Sequence, residues 1–345
     1  MRHDASGNQT ARKILISGST GFTGSHVLDS LAGQQNLELV AACRNSSRLP
    51  ATFSGQVREG DLRDSHYLAT MLEGVDTVCH CAAWTSLFGH ASESRELYYE
   101  PTIQFINAAR ESGVRRFINV STTSAAAPDT SADANSAGIA RAYWPHLCNV
   151  VAIEGHLRRQ ADKSFNVINL RLGLFAGSRY ALGLLPILLP RLRTHLVPWV
   201  AGGSTSMPII DGRDIGQAFL KSVLAENLAD YQSFNIVGPS VPTVREVIHF
   251  LHSEHGYPEP HFSVPFPLAF VFAGFMELLD PLVPWDPLVT RSIVHLLREV
   301  NANNDMAANR LGYRPEYDWR VAIRTQLDEM SVRQKQPMRM AVPHG

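Results

Sequence analysis

KILISGSTGFTGSHVLDSL, residues 13–31, decides how the rest of the chain is read. Residues 13–17 are mostly apolar and β-leaning, the composition of a strand buried in a parallel sheet. Gly18, Gly21 and Gly24 follow at G-x-x-G-x-x-G spacing, and Val27, Leu28 and Leu31 then recur at helical intervals. Strand, glycine turn and helix in that order are the context of a dinucleotide fingerprint. Gly18 permits the tight turn, Gly21 lets backbone approach a pyrophosphate, and Gly24 lets helix pack on strand. The N–H groups and positive dipole end of the helix then hold the phosphates. The whole turn, Gly18, Ser19, Thr20, Gly21, Phe22, Thr23 and Gly24, is expected to bind a nicotinamide dinucleotide.

Beyond this turn, short apolar runs alternate with helical patterns, which indicates an α/β fold with a Rossmann-like doubly wound parallel sheet. Strands are expected at 37–43, 56–59, 77–83, 117–121 and 166–170, and helices at 66–72, 97–112 and 150–161. Residues 126–140, rich in Ala, Ser, Asp and Gly, read as a flexible loop. The expected organisation is a disordered leader at 1–11 and a nucleotide-binding domain at 12–177, to which 207–240 return. Residues 178–206 and 241–330 form a smaller C-terminal α/β substrate-binding region, and 331–345 a flexible tail.

Composition narrows the function. The 31 Lys and Arg against 32 Asp and Glu leave a net charge of −1, which gives no footing for nucleic-acid binding. Cys43, Cys79, Cys81 and Cys148 match neither a metal-ligand spacing nor a disulfide framework, and no metal is expected. With no signal peptide in the polar start, the expected location is the reducing cytoplasm. Residues 264–285 are strongly apolar, but prolines, Glu277 and Asp280 interrupt them. A membrane span needs about twenty unbroken apolar residues, so none is expected. Peripheral contact with a lipid surface, or a lid over a greasy substrate, stays open for this stretch.

Seven motifs in order carry a resemblance over residues 12–330: SGSTGFTG (17–24), GDLRD (60–64), HCAA (80–83), NVSTTS (119–124), NLRLGLFAG (169–177), PIIDGRDIGQA (208–218) and FNIVGP (234–239). The chain resembles an extended short-chain dehydrogenase/reductase of the epimerase/dehydratase and 3β-hydroxysteroid dehydrogenase branch. The resemblance implies that Asp61 hydrogen-bonds the adenine and that Ala82 and Ala83 line the cofactor midsection. It also counts Leu62, Cys81 and Leu172 among the cofactor-binding residues. The 264–285 stretch and the closing LGYRPEYDW (311–319) most resemble the hydroxysteroid branch, favouring a bulky hydrophobic small-molecule substrate over a nucleotide sugar. A homodimer is compatible with all of this.

The cofactor reading rests on charge. An NAD-binding chain needs a carboxylate roughly twenty residues beyond the glycine turn to accept from the ribose hydroxyl. Residues 41–48 read AACRNSSR and contain no acid. Arg44, with Arg48 as a second cation, can clamp a 2′-phosphate. NADP(H) is therefore favoured over NAD(H).

The catalytic pattern departs from the family. Its members carry a Ser or Thr after the fifth strand and a Tyr-x-x-x-Lys on the next helix, the Lys depressing the pKa of the Tyr that moves the proton. The hydroxyl falls on Thr122, and Glu154 matches the acid that follows the lysine. Counting back from Glu154 places Val150 at the lysine position and His146 at the tyrosine position. No tyrosine in the chain has a lysine four residues later. Tyr143 is the nearest phenol, and Tyr98 and Pro101 stand where the family has Asn and Gly. The candidate catalytic set is thus Thr122, His146 and Tyr143, and His146 is either the acid or a structural residue. Two functions follow. One is an atypical NADP(H)-dependent oxidoreductase, or an isomerase or lyase derived from it, acting on a hydrophobic alcohol or ketone. The other is a catalytically silent NADP(H) sensor or scaffold.

Overall fold

The computed structural model describes residues 11–180, 182–282, 287 and 289–335. Almost all of the expected leader, much of the expected tail and residues 283–285 of the apolar stretch lie outside the described residues.

The chain runs β1 (Arg12–Ser17), α1 (Phe22–Leu31), β2 (Leu37–Cys43), β3 (Gln56–Glu59), α2 (Ser65–Met71) and β4 (Thr77–His80). A longer helix follows, made of α3 (Ala91–Ser94), a π turn (Arg95–Tyr99) and α4 (Glu100–Glu111). Next come β5 (Arg116–Thr122), α5 (Pro145–Gln160), β6 (Asn166–Leu172), β7 (Leu174–Ala176), α6 (Leu184–Leu192), β8 (Trp199–Val200), β9 (Ile209–Asp211), α7 (Gly212–Leu224) and β10 (Tyr231–Ile236). The chain closes with α8 (Val244–His255), β11 (Ser263–Val264), α9 (Phe266–Leu279), α10 (Arg291–His295), α11 (Asp305–Leu311) and α12 (Trp319–Lys335).

Seven strands form one parallel sheet in the order β10-β6-β5-β4-β1-β2-β3. The chain runs outward from β1 to β3, then crosses back to β4 on the other side of β1. That reversal opens a crevice beyond the carboxyl ends of β1 and β4, where ligands of doubly wound sheets bind. Side chains alternate across β1. Ile14 and Ile16 join Val27, Leu28, Ile215 and Phe219 on one face, and Leu15 joins Val78, Phe105, Phe117 and Ile153 on the other. A separate core, with Leu189, Trp199, Val247, Leu251, Trp319 and Ile323, unites α6, α8 and α12.

Several local expectations change. The segment expected as a helix at 97–112 contains a π turn instead of starting cleanly. Pro101 has no N–H to give the Leu97 carbonyl and its ring crowds that oxygen, so the helical register slips there. The 126–140 loop is not free. Asn135 Oδ1 accepts from Ser233 N at 2.8 Å, Asn235 Nδ2 donates to Ser131 O at 2.7 Å, and Arg171 donates to Ser136 O at 2.9 Å. Strand β4 stops at His80, and α12 continues to Lys335, into the stretch expected as a tail. The closing LGYRPEYDW is a clasp: Tyr313 donates to Val237 O, and Asp214 accepts from the N–H groups of Glu316 and Tyr317.

Candidate active site

At the crevice, β1 ends in Gly18 at φ +65°, and a Cβ there would lie 2.6 Å from the Ala82 backbone. The turns after β1 and β4 therefore touch backbone to backbone. A Cβ on Gly24 would collide with the Gly18 carbonyl, so this position holds α1 against the turn. Gly21 differs: it is exposed, and a Cβ would meet only Gly18 O, at 3.2 Å. Space there is kept on the outside, where a ligand lies. Gly21 is also the N-cap of α1, and no side chain caps the helix, so first-turn N–H groups remain for an anion. The cradle fits a dinucleotide pyrophosphate.

The turn's side chains are otherwise engaged. Ser19 is fully buried and its Oγ donates to Ala42 O at 3.2 Å. Phe22 packs its ring on Tyr180, His26 and Phe175, with centroids 4.5, 5.1 and 5.5 Å away. Thr23 is buried and Thr20 half-buried. These residues offer a ligand mainly backbone.

Arg44 and Arg48 are both exposed just beyond β2. Asp61 stands close enough to Arg44 to feel its charge, yet its carboxylate is committed to Arg63, at 3.0 and 2.7 Å. That hydrogen bonding holds the Asp61 pKa down to about 2. A residue that sequence reasoning passed over enters here. Glu59, at the end of β3, accepts from Ser46 N at 3.0 Å and so brings an acid beside the loop that lacked one. Only the β2–β3 pairing Cys43↔Glu59 could have signalled it. Leu62 and Cys81 are half-buried, Ala82 likewise, and Ala83 is exposed. Leu172 is fully buried in the main core, so its side chain offers a cofactor no surface, contrary to expectation.

Past β5, Thr122 Oγ1 accepts from Ser124 N at 3.2 Å. Glu154, expected only as a register marker, turns inward. Its Oε1 accepts from Ser121 Oγ (2.6 Å), Asn169 Nδ2 (2.9 Å) and Arg171 Nε (2.9 Å), and its Oε2 from Arg171 Nη2 (2.6 Å). Val150 is buried in the same cluster as Tyr98, Phe105 and Ile153. His146 lies against Tyr98, ring centroids 4.9 Å apart, and its buried Nδ1 has no hydrogen-bond partner among the described residues. Burial lowers its pKa to about 4, so the imidazole is neutral at physiological pH. Burial also pushes the Tyr98 phenol well up.

Tyr143 precedes α5, which begins only at Pro145. Its hydroxyl lies 2.7 Å from His295 Nδ1, and His295 Nε2 lies 3.1 Å from Ser124 O. A carbonyl can only accept, so the proton sits on Nε2, and Nδ1 accepts from the phenol. Burial raises the Tyr143 pKa, while Arg141, Arg298 and Arg291 pull it down. Phe270 closes the other side of the ring at 5.1 Å. The geometry thus brings a phenol, an imidazole and the Arg291–Glu277 pair next to the turn after β5, within reach of the charges of Arg141 and Arg298. Sequence reasoning found Tyr143 but missed His295, Arg291 and Arg298, which lie far along the chain.

The glycine turn, the switch-point crevice and the strand order define a dinucleotide-binding α/β protein. The chain belongs to the NAD dependent epimerase/dehydratase family, which matches residues 14–237. It is 30% identical over 128 residues to a 3 beta-hydroxysteroid dehydrogenase/Delta 5-->4-isomerase of Mycobacterium tuberculosis, covering 35% of this chain and 34% of that protein. The chain thus spans about a third of the length of that curated relative. A 4-hydroxy-2-methyl-3-oxo-4-farnesyl-3,4-dihydroquinoline-1-oxide ketoreductase of Stigmatella aurantiaca is 23% identical over 308 residues, covering 87% of this chain and 91% of that one. The solved structure of MoeE5 with UDP-glucuronic acid and NAD superposes with a TM-score of 0.67 at 20% identity, covering 93% of this chain and 99% of that one. That likeness concerns the fold.

Proposed function

We propose that the protein is an NADP(H)-dependent reductase of a hydrophobic ketone, with Tyr143 as the proton donor. The observation that carries this reading is the Tyr143 hydroxyl, 2.7 Å from His295 Nδ1, with Arg291 5.4 Å from its ring and Arg141 and Arg298 close enough to act on it by charge. Arg44, exposed beside the crevice and unopposed on its own loop, supports the 2′-phosphorylated cofactor. Glu59 stays bound to Ser46 N, which weakens its claim on a ribose hydroxyl. The broad match to a ketoreductase whose name specifies a farnesylated substrate supports both ketone and hydrophobicity.

Bound in the crevice, the reduced nicotinamide supplies the hydride. The protein then has to polarise the carbonyl oxygen and protonate it. Thr122 Oγ1 accepts from Ser124 N, so its own proton is free for that oxygen. Like any phenol, Tyr143 is protonated at neutral pH and so has a proton to give the forming alkoxide, while burial raises its pKa and makes the phenolate costlier. When the phenol gives up its proton, the three guanidinium groups stabilise the phenolate. They offset part of the cost that burial and Glu277 impose on the phenolate, Arg291 being itself paired with Glu277. His295 is neutral, its pKa lowered by burial, and it holds the phenol in place through Nδ1. His146, neutral and packed on Tyr98, has no part in the proton transfer.

The test is NADPH oxidation against a panel of sterol-like and polyketide-like ketones. Tyr143→Phe should lower kcat by about 10²–10⁴-fold, with NADPH affinity unchanged. Turnover that survives Tyr143→Phe but fails in His146→Ala would transfer the role to the imidazole. NADPH binding without turnover on any ketone would favour the silent sensor.

A further inference from the structure

We propose that the outer face of α9, together with Leu196 and Phe262 beside its start, docks on an anionic lipid surface, from which the substrate passes to the site that the inner face of α9 walls. The inference rests on the hydrophobic-substrate reading above.

Helix α9 is apolar all round, but only one side is covered. Ala269 and Ala273 are buried in a small cluster with Val294 of α10. On the opposite side Leu268, Val271, Phe272, Phe275 and Leu278 are 59, 69, 54, 54 and 73% exposed, and Leu282 beyond is 79% exposed. Their spacing of three or four residues puts them in one stripe. A contiguous bare stripe of large apolar side chains marks an interaction surface, not ordinary scatter.

Its chemistry fits a lipid interface. At fourteen residues α9 is about 21 Å long, short of the roughly 30 Å of a bilayer core, so it can lie in the interface but not cross it. Among the described residues no helix is long and apolar enough to cross a membrane. Residues 263–276 carry no charge, and the one carboxylate of the helix, Glu277, is buried and bound to Arg291 at 2.6 Å. Beside the start of the stripe, Trp199 N donates to Phe262 O, which brings exposed Leu196 and Phe262 to the same edge. Exposed Arg193, His195 and His261 rim that edge, the two imidazoles stacked with centroids 5.6 Å apart. The acid nearest in sequence, Glu259, is held by His249. The fixed cation at that edge is Arg193, its guanidinium 5.1 Å from the Tyr257 ring, and bulky apolar residues flanked by a guanidinium are what an anionic headgroup layer accommodates.

The same helix reaches the site. Phe270, turned inward, meets the Tyr143 ring edge-on at 5.1 Å, and the Arg291 that binds Glu277 lies 5.4 Å from that ring. One side of α9 is thus a wall of the proposed pocket while the other is bare.

The test is co-sedimentation of the full chain with phosphatidylcholine vesicles containing phosphatidylglycerol. The wild-type protein should bind, and Phe272→Ser with Phe275→Ser should weaken partitioning by about tenfold or more. Arg193→Glu should weaken binding to the anionic vesicles and leave binding to pure phosphatidylcholine unchanged. A wild-type protein that stays in the supernatant overturns the proposal. So does a wild-type dimer, by light scattering, that the double variant turns into a monomer, because a second copy would then cover the stripe. Vesicle binding is read without substrate, so a protein that binds vesicles but reduces no ketone upholds the docking face and refutes the reductase reading alone.

Discussion

Glu154→Gln is the substitution whose cost the geometry predicts most directly. Arg171 is fully buried, and its Nη1 already lacks a hydrogen-bond partner among the described residues. Glu154 meets the other two guanidinium nitrogens at 2.9 and 2.6 Å and also binds Ser121 and Asn169. In the amide, one oxygen can still accept from Ser121 and Asn169. The NH₂ then faces Arg171 Nη2, donor against donor, and the guanidinium loses its paired carboxylate. Breaking one side of a buried pair costs about 3–5 kcal/mol. Whole-protein stabilities are about 5–15 kcal/mol, so this is a large share. At roughly 2–4 °C per kcal/mol, the melting temperature should fall by on the order of 10 °C. Urea unfolding gives the free energy. The second arm adds Arg171→Met, which removes the stranded charge and should recover part of the loss. A loss below about 1 kcal/mol, the range of an exposed pair, would refute the reasoning. So would a double variant no more stable than the single one.

Gly21→Val should abolish NADPH binding by placing a branched side chain where the pyrophosphate approaches, while leaving the fold intact because Gly21 is exposed at φ −82° and the added Cβ meets only Gly18 O, at 3.2 Å; undiminished affinity in calorimetry would discard the glycine turn as the phosphate cradle. Arg44→Asp should weaken NADPH strongly and improve NADH, since a carboxylate repels the 2′-phosphate and accepts from a free hydroxyl; a natural protein that already prefers NADH would show the charge argument to be wrong. Acid should destabilise the protein through His26 and His80, both buried, with pKa lowered by burial from 6.5 to about 4. The unfolded chain binds these protons from pH 6.5 downward and the folded one only near 4, so stability falls as pH drops through that window, by up to about 1.4 kcal/mol per pH unit for each histidine. Because His146 and His295 are also lowered by burial, urea midpoints of the double variant His26→Phe, His80→Phe should keep a slope from pH 6.5 to 4 but a shallower one than the wild type, and equal slopes would remove the assignment.

The inner strands of the parallel sheet were legible because they are buried on both faces and read as apolar runs, as β1 and β5 do; β3 (QVRE), an exposed edge strand, lacks that signal although it falls where the sequence places it. The glycine turn was legible for a related reason, since Gly18 and Gly24 answer to backbone neighbours a few residues away or on the adjacent strand. What escaped depends on contacts that no local pattern encodes. The 126–140 loop has the composition of a mobile segment, yet Ser131 and Asn135 bind Asn301, Ser233 and Asn235, more than ninety residues away. The active site divides along the same line. Counting back from Glu154 puts Val150 where a lysine belongs, and Val150 lies in the buried cluster that holds Tyr98. A lysine at position 150 would therefore drive an ammonium into packed apolar volume beside Glu154, whose lone pairs Arg171, Ser121 and Asn169 already take. Under the reading proposed above, the phenol is Tyr143, whose partners Arg291, Arg298 and His295 lie on and after α10, His295 Nδ1 meeting a tyrosine 152 residues earlier. A motif scan looks for a lysine one helical turn from the phenol and finds none. The positive charge around Tyr143 comes from Arg141, two residues before it, and from Arg298 and Arg291 in the region after the sheet, which is also where α9 brings the apolar wall.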